Sequence, residues 1–320
     1  MELRRTQLAR AGTSPALGLL LLSALWAGSW LHTSLIPRSG ADNLPPLLVQ
    51  AAFFCVFAAV AGSIALARHV EFPRGRHAWT CAGIGIGLFV VPAVLATCTE
   101  GRISELDRVA VFSLTPVFAI VLEPYLQGGA LRQGKAALAG ALAAVAGILL
   151  ALPLDVPGSF RAGVALCALL AASFSIAATN CLAVGIAPNL AVRSSLPMAA
   201  VAGAASAICS AVVAALMPHA AWQWDALLAE FSWRLVIDIP ALFLLFWLMR
   251  RMTASRMTAR FLFAPLFAIL AGLAVEATRP SARAWLGIAL LACGAAWLVF
   301  APAEKTESDE LSLTNPHADS

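Results

Sequence analysis

Asp238 is the residue whose type and place most invite chemistry. It stands in Ile237-Asp238-Ile239-Pro240, inside an apolar run at 232–249. A charged carboxylate at membrane depth costs several kcal/mol, so it must be paired, protonated or in contact with water. A carboxyl that passes between its charged and neutral forms can carry a proton across a barrier. The plainer alternative is structural. Arg234 lies four residues earlier, on the same helical face, and the two can form an ion pair near the membrane surface.

The other strong polar groups at membrane depth are His32, Gln50 and Asn180. Such side chains line a solute or proton path, or hydrogen-bond a neighbouring helix for roughly 0.6–2 kcal/mol each. His32 titrates near neutral pH when unperturbed. Trp26 and Trp30 are four apart and share a helix face. They offer a stacking surface for a planar or cationic ligand, or simply pack. Glu123 lies seven residues after Pro116, on nearly the same face, and the sequence predicts that it snorkels to the interface. Glu276 reads as a gating or structural acid at a run's end.

These residues need helices to hold them. Hydrophobic residues make up 61% and charged residues 12% of 320. Globular domains run about 45–50% apolar and about 25% charged, so the solvent of this chain is lipid. Ten runs approach the roughly 20 apolar residues that a bilayer core demands: 15–35, 45–67, 78–98, 107–126, 134–153, 162–186, 190–216, 232–249, 257–276 and 282–300. Open strands would leave unpaired edges in lipid, so the runs are helices. The first run is of spanning length and reads as uncleaved in spite of Arg4 and Arg5 before it. With the N-terminus cytoplasmic, 14 of the 21 Lys and Arg fall on the cytoplasmic side. Both termini are then cytoplasmic, and the expected location is the plasma (inner) membrane, multi-pass.

Two strings inside these runs nearly coincide. Phe112-Ser-Leu-Thr-Pro116-Val-Phe118-Ala119-Ile120 and Phe261-Leu-Phe-Ala-Pro265-Leu-Phe267-Ala268-Ile269 are identical at five of nine positions, 149 residues apart. At a shift of 148, Pro92 meets Pro240 and His32 meets Asn180; at 147, Gly140 and Gly147 meet Gly287 and Gly294. Each half is therefore five helices. Five is odd, so the second half enters the membrane from the other side and the repeat is inverted. Pro92, Pro116, Pro240 and Pro265 each remove a helical hydrogen bond, and they are candidates for breaks and gating around a central cavity, or for ordinary packing kinks. Asp238 departs from the symmetry, since its counterpart is Val90. The small residues at 136, 140 and 144 read as a close-packing ladder, with a homodimer seam as the alternative.

The string Leu114-Thr115-Pro116-Val117-Phe118, followed by a glycine-rich fifth run, resembles the drug/metabolite transporter superfamily, most closely its ten-helix EamA-type branch. Leu25-Trp26-Ala27-Gly28-Ser29 is similar to that family's first-helix signature. Glu276 and Gln127 stand where the family places a Gly-Glu pair after the proline helix. The resemblance spans about 15–300. It implies secondary transport of small metabolites or drug-like molecules, usually export.

The sequence thus predicts an all-α membrane protein, ten transmembrane helices as two inverted five-helix repeats. Its parts are a cytoplasmic N-terminus at 1–14, repeats at 15–156 and 157–300, and a disordered cytoplasmic tail at 301–320. The expected function is alternating-access transport of a small molecule, driven by a gradient such as that of protons. No metal site, cofactor or nucleic-acid partner is expected: the seven cysteines lack metal spacing, and Gly129–Ala136 lacks the Ser/Thr of a phosphate loop. The competing classes are a membrane-embedded transferase, which needs clustered acids or a His-Asp pair, and a non-transporting sensor or scaffold.

Overall fold

The structure is a computed structural model. It describes residues 13–35, 45–126, 135–152, 158–186, 195–217, 224–276 and 280–300. Among these residues the regular structure is helical and there is no strand. The helices are α1 (Thr13–Leu35), α2 (Pro46–Ala67), α3 (Arg76–Thr97), α4 (Glu105–Leu126), α5 (Lys135–Ala151), α6 (Phe160–Ile186), α7 (Leu196–Leu216), α8 (Trp224–Leu248), α9 in two pieces (Ala254–Thr258 and Arg260–Glu276), and α10 (Ala282–Phe300). Eight are long and apolar enough to cross a membrane. This chain is a multi-pass membrane protein. The apolar stretch Pro15–Ser29 of α1 and the whole of α5 are shorter. At 1.5 Å per residue, the 17 residues of α5 reach about 25 Å.

Glycines set the closest approaches. A Cβ added to Gly147 would come 2.7 Å from the Gly287 carbonyl oxygen, and one added to Gly287 would come 2.7 Å from that of Gly147. Gly140 and Gly294 meet in the same reciprocal way. The two pairs run in opposite order along the chain, so α5 and α10 are antiparallel. The ladder expected on α5 is thus covered by α10 of the same chain.

The principal helix pairs follow a rule. The pairs α5–α10 and α2–α7 are formed, as are α4–α6 with α9–α1, α3–α7 with α8–α2, and α8–α1 with α3–α6. Exchanging α1–α5 with α6–α10 turns this set into itself. One pair breaks the rule. The short first piece of α9 packs on α6, and the corresponding pair, α4 on α1, is not among the principal contacts of the described residues.

The prolines do not act alike. α4 breaks at Ser113-Leu114, and Pro116 is the second residue of the helix that restarts at Thr115. Its missing N–H costs nothing there. Ser113 and Thr115 hydroxyls donate to the Ala110 and Phe112 carbonyls at 2.6 and 2.7 Å. In α9 the break falls at Ala259, six residues before Pro265, which lies inside the helix. Pro240 is inside α8 and faces outward, whereas Pro92 is buried. The prolines matched in sequence therefore differ in the form of the break.

Pro92 follows a π-helical turn, Ile86–Val90, where the Val91 N–H reaches back to the Ile86 carbonyl. In that register the Gly87 carbonyl would be served by residue 92, which has no N–H. The Ser175 hydroxyl serves it instead, at 3.0 Å. Gln50 Nε2 donates to the Phe89 carbonyl at 3.1 Å. A side chain from α6 thus serves the carbonyl that Pro92 cannot, and one from α2 adds a bond to the same turn.

Candidate functional site

A cavity of about 390 Å³ lies between the two halves of the chain. The first half supplies Trp26 and Ser29 from α1, Gln50, Phe53 and Phe54 from α2, Leu88 and Phe89 from α3, and Phe112 from α4. The second supplies Ile176 from α6, Arg234, Asp238 and Leu242 from α8, and Phe261 and Ala264 from α9. Six of its fourteen lining residues are aromatic. Phe54 and Phe89 approach to 4.7 Å between ring centroids, and Trp26 and Phe261 to 6.1 Å. A larger cleft, about 560 Å³, opens among α4, α5 and α6. Its acid, Asp107, is engaged by the Ser104 hydroxyl at 2.6 Å. Both cavities draw on both halves; the smaller one carries the candidate chemistry, because its acid, Asp238, lies inside an apolar helix rather than at a helix start.

Helical spacing explains Asp238. It is one turn beyond Arg234, so both reach the same wall. Yet Arg234 is paired elsewhere: its Nε lies 2.9 Å from a Glu230 carboxylate oxygen, another turn back. The ion pair expected between Arg234 and Asp238 is therefore not the primary one. Asp238 has the Ser29 hydroxyl of α1 as its hydrogen-bonding neighbour, with Arg234 close enough to act through charge. With Arg234 taken by Glu230, Asp238 is the acid that the chamber wall presents.

Four of the residues singled out in the sequence fall on or beside this chamber in different ways. Asp238, Gln50 and Trp26 line it. Asn180 is one turn past Ile176 and fully buried; its amide donates to the Ile176 carbonyl at 2.7 Å. The four prolines do not line it, but Phe89, Phe112, Asp238 and Ala264, each within four residues before a proline, do. The side chains of Trp30, His32 and Glu276 lie outside the described residues.

Glu123 is placed otherwise than expected. It does not snorkel; it is 1% exposed. Its carboxylate accepts from the Ser255 hydroxyl at 2.6 Å and from the Ala254 N–H at 3.2 Å. A tertiary partner on the other half, invisible to a spacing argument, replaces water.

Arg260 is one of the 14 cations that the Lys/Arg bias assigns to the cytoplasmic side. It is 1% exposed. Its guanidinium donates to the Met257 carbonyl at 3.1 Å and to the Asn180 side-chain oxygen at 3.3 Å. It lies 5.1 Å from the Trp26 ring centroid and 4.8 Å from that of Phe261, both cavity walls. No carboxylate bonds it among the described residues. A cation over aromatic faces is stabilised by about 2 kcal/mol when desolvated. The available signal was an arginine three residues inside an apolar run, which run boundaries tend to absorb.

No family model matches this chain, and no curated protein resembles it significantly in sequence. It is similar to a solved crystal structure of a protein at 21% identity and a TM-score of 0.72, covering 90% of this chain and 98% of the other. At that identity the likeness concerns the fold alone. The class defined here is a polytopic helical membrane protein with a cavity between its first five and its last five helices.

Proposed function

We propose that this chain is a secondary active transporter that moves a small metabolite or drug-like molecule by alternating access, as an exporter coupled to protons. The observation that carries the reading is the cavity of about 390 Å³, which collects residues from both halves around Asp238. A site at the interface of two structural repeats, near the bilayer midplane, is where alternating access needs it. The symmetry of the helix pairs and the antiparallel glycine seam favour two inverted five-helix repeats, with α1 and α5 completing ten spans. The Lys/Arg bias favours cytoplasmic termini and the plasma (inner) membrane. Membership in the EamA-type branch rests on the proline strings and the first-helix signature. The lone acid favours protons as the driving ion, for a carboxyl can be claimed in turn by proton and solute.

The transferase alternative needs clustered acids or a metal constellation, whereas Glu230, the acid beside Asp238, is taken up by Arg234, and Glu123 and Asp107 lie on α4. The deciding experiment compares small molecules inside and outside cells with and without the protein, then tests any displaced compound for flux in proteoliposomes under a pH gradient. Transport predicts accumulation outside and gradient-driven flux. Chemical conversion of the compound without movement would replace this reading with the enzyme.

A further inference from the structure

The exchange symmetry of the helix pairs fails where the first piece of α9 leans on α6. That piece, Ala254–Thr258, is separated from the rest of α9 by the turn at Ala259. Its start is held from the other half of the chain. Glu123, near the end of α4, accepts the Ser255 hydroxyl on one oxygen at 2.6 Å and the Ala254 N–H on the other at 3.2 Å. Thr253 accepts the Arg256 N–H at 3.5 Å and so holds the piece in register with its own chain.

The same arrangement cannot form at the opposite end of the bundle. The shift of 149 that aligns the proline strings sends Thr253 to Ser104, and both cap the start of a helix. It sends Glu123 to Gly272, which has no side chain to offer and open space around its Cα. The carboxylate contact is therefore a feature of one end, added to a frame that is otherwise shared.

That contact is also connected to the cavity. Arg260, the first residue after the turn, stacks on Trp26 and Phe261 and bonds Asn180 of α6. A swing of the first piece about Ala259 disturbs both the floor of the chamber and its aromatic wall. Resting on the transport reading, we infer that Ala254–Thr258 is a hinged gate at the basic end of the bundle and that Glu123 is its latch. In this structure the latch is closed. Breaking it frees the piece from α4 and opens a path from that end towards Trp26.

Cys181 reports the gate directly. It is fully buried against Ala119, Ala177 and Ala254, beneath the latched piece. Cys81, fully buried in α3 and outside the small cluster that holds Cys181 and Ala254, is the control. The test keeps these two cysteines, replaces Cys55, Cys98, Cys167, Cys209 and Cys293 by serine, and follows N-ethylmaleimide labelling of the full chain in lipid nanodiscs. Losing the two hydrogen bonds that Glu123 accepts should raise Cys181 labelling about tenfold or more in Glu123→Ala, with a smaller rise of about threefold in Ser255→Ala. Cys81 should stay slow in both. Unchanged Cys181 labelling in both variants overturns the latch, as does a parallel rise at Cys81, which means general loosening. No substrate is involved, so failure here leaves the transport reading standing, and failed flux leaves the latch measurable.

Discussion

Phe112 and Phe261 are equivalent positions of the two halves, 149 residues apart, and their rings stack in the cavity at 6.5 Å between centroids and 26° between planes. Each is the first residue of its proline string and lies four before the proline. The helices that look alike in sequence therefore meet at their first shared residue. On the transport reading proposed above, this pair moves when the halves trade roles.

A double-mutant cycle on this pair should show coupling. Aromatic pairs contribute about 0.5–1.5 kcal/mol beyond their burial. Phe112→Leu and Phe261→Leu should each destabilise the purified protein in denaturant titration, and the double variant should lose less than the sum by that amount. Strict additivity would place the rings side by side without mutual contact.

Asp238→Asn keeps the shape of the side chain and removes its charge. For a compound found to be exported, proton-driven flux in proteoliposomes should fall on the order of tenfold or more, the scale of a site-to-site coupling energy. Exchange of the compound without a pH gradient should persist. Unchanged dependence on the gradient would assign coupling to another residue.

The glycines give opposite expectations from the same substitution. Gly147→Ala sets a methyl group 2.7 Å from the Gly287 carbonyl oxygen and should cost about 1–3 kcal/mol through overpacking. Gly83→Ala meets nothing within 4 Å and should gain about 0.5–1 kcal/mol from reduced backbone freedom. Thermal unfolding of the two variants in detergent should move in opposite directions.

The π-turn in α3 supplies another measurement. Gln50→Leu and Ser175→Ala each remove a hydrogen bond to a backbone carbonyl of the turn, at about 0.5–1.5 kcal/mol. Hydrogen exchange at residues 86–91 should rise in either variant and rise further in both together. Protection that survives both losses would mean that the turn needs neither side chain.

The sequence made the helical, lipid-facing character legible because lipid leaves the backbone no other solution. It also marked Asp238, Gln50 and Trp26, since a polar or broad aromatic side chain stands out in an apolar run. It misplaced Glu123 and Arg260 for one physical reason. Both sit near run ends, where snorkelling is the local solution, and both are buried by partners on distant helices. Phe112 and Phe261 were present in the repeated strings, yet a phenylalanine in an apolar run carries no mark of facing a cavity. The difference between the prolines was hidden too: whether Pro116 opens a helix or Pro265 continues one depends on the turns before them.

Alternating access is best tested at Ser29, beside Asp238 in the cavity wall. Ser29→Cys, in a chain with its seven native cysteines replaced, is exposed to a membrane-impermeant maleimide from each face of oriented vesicles in turn. The account predicts labelling from both faces, with each face's rate shifted in opposite directions by an imposed pH gradient. Labelling from one face alone, whatever the gradient, would contradict it.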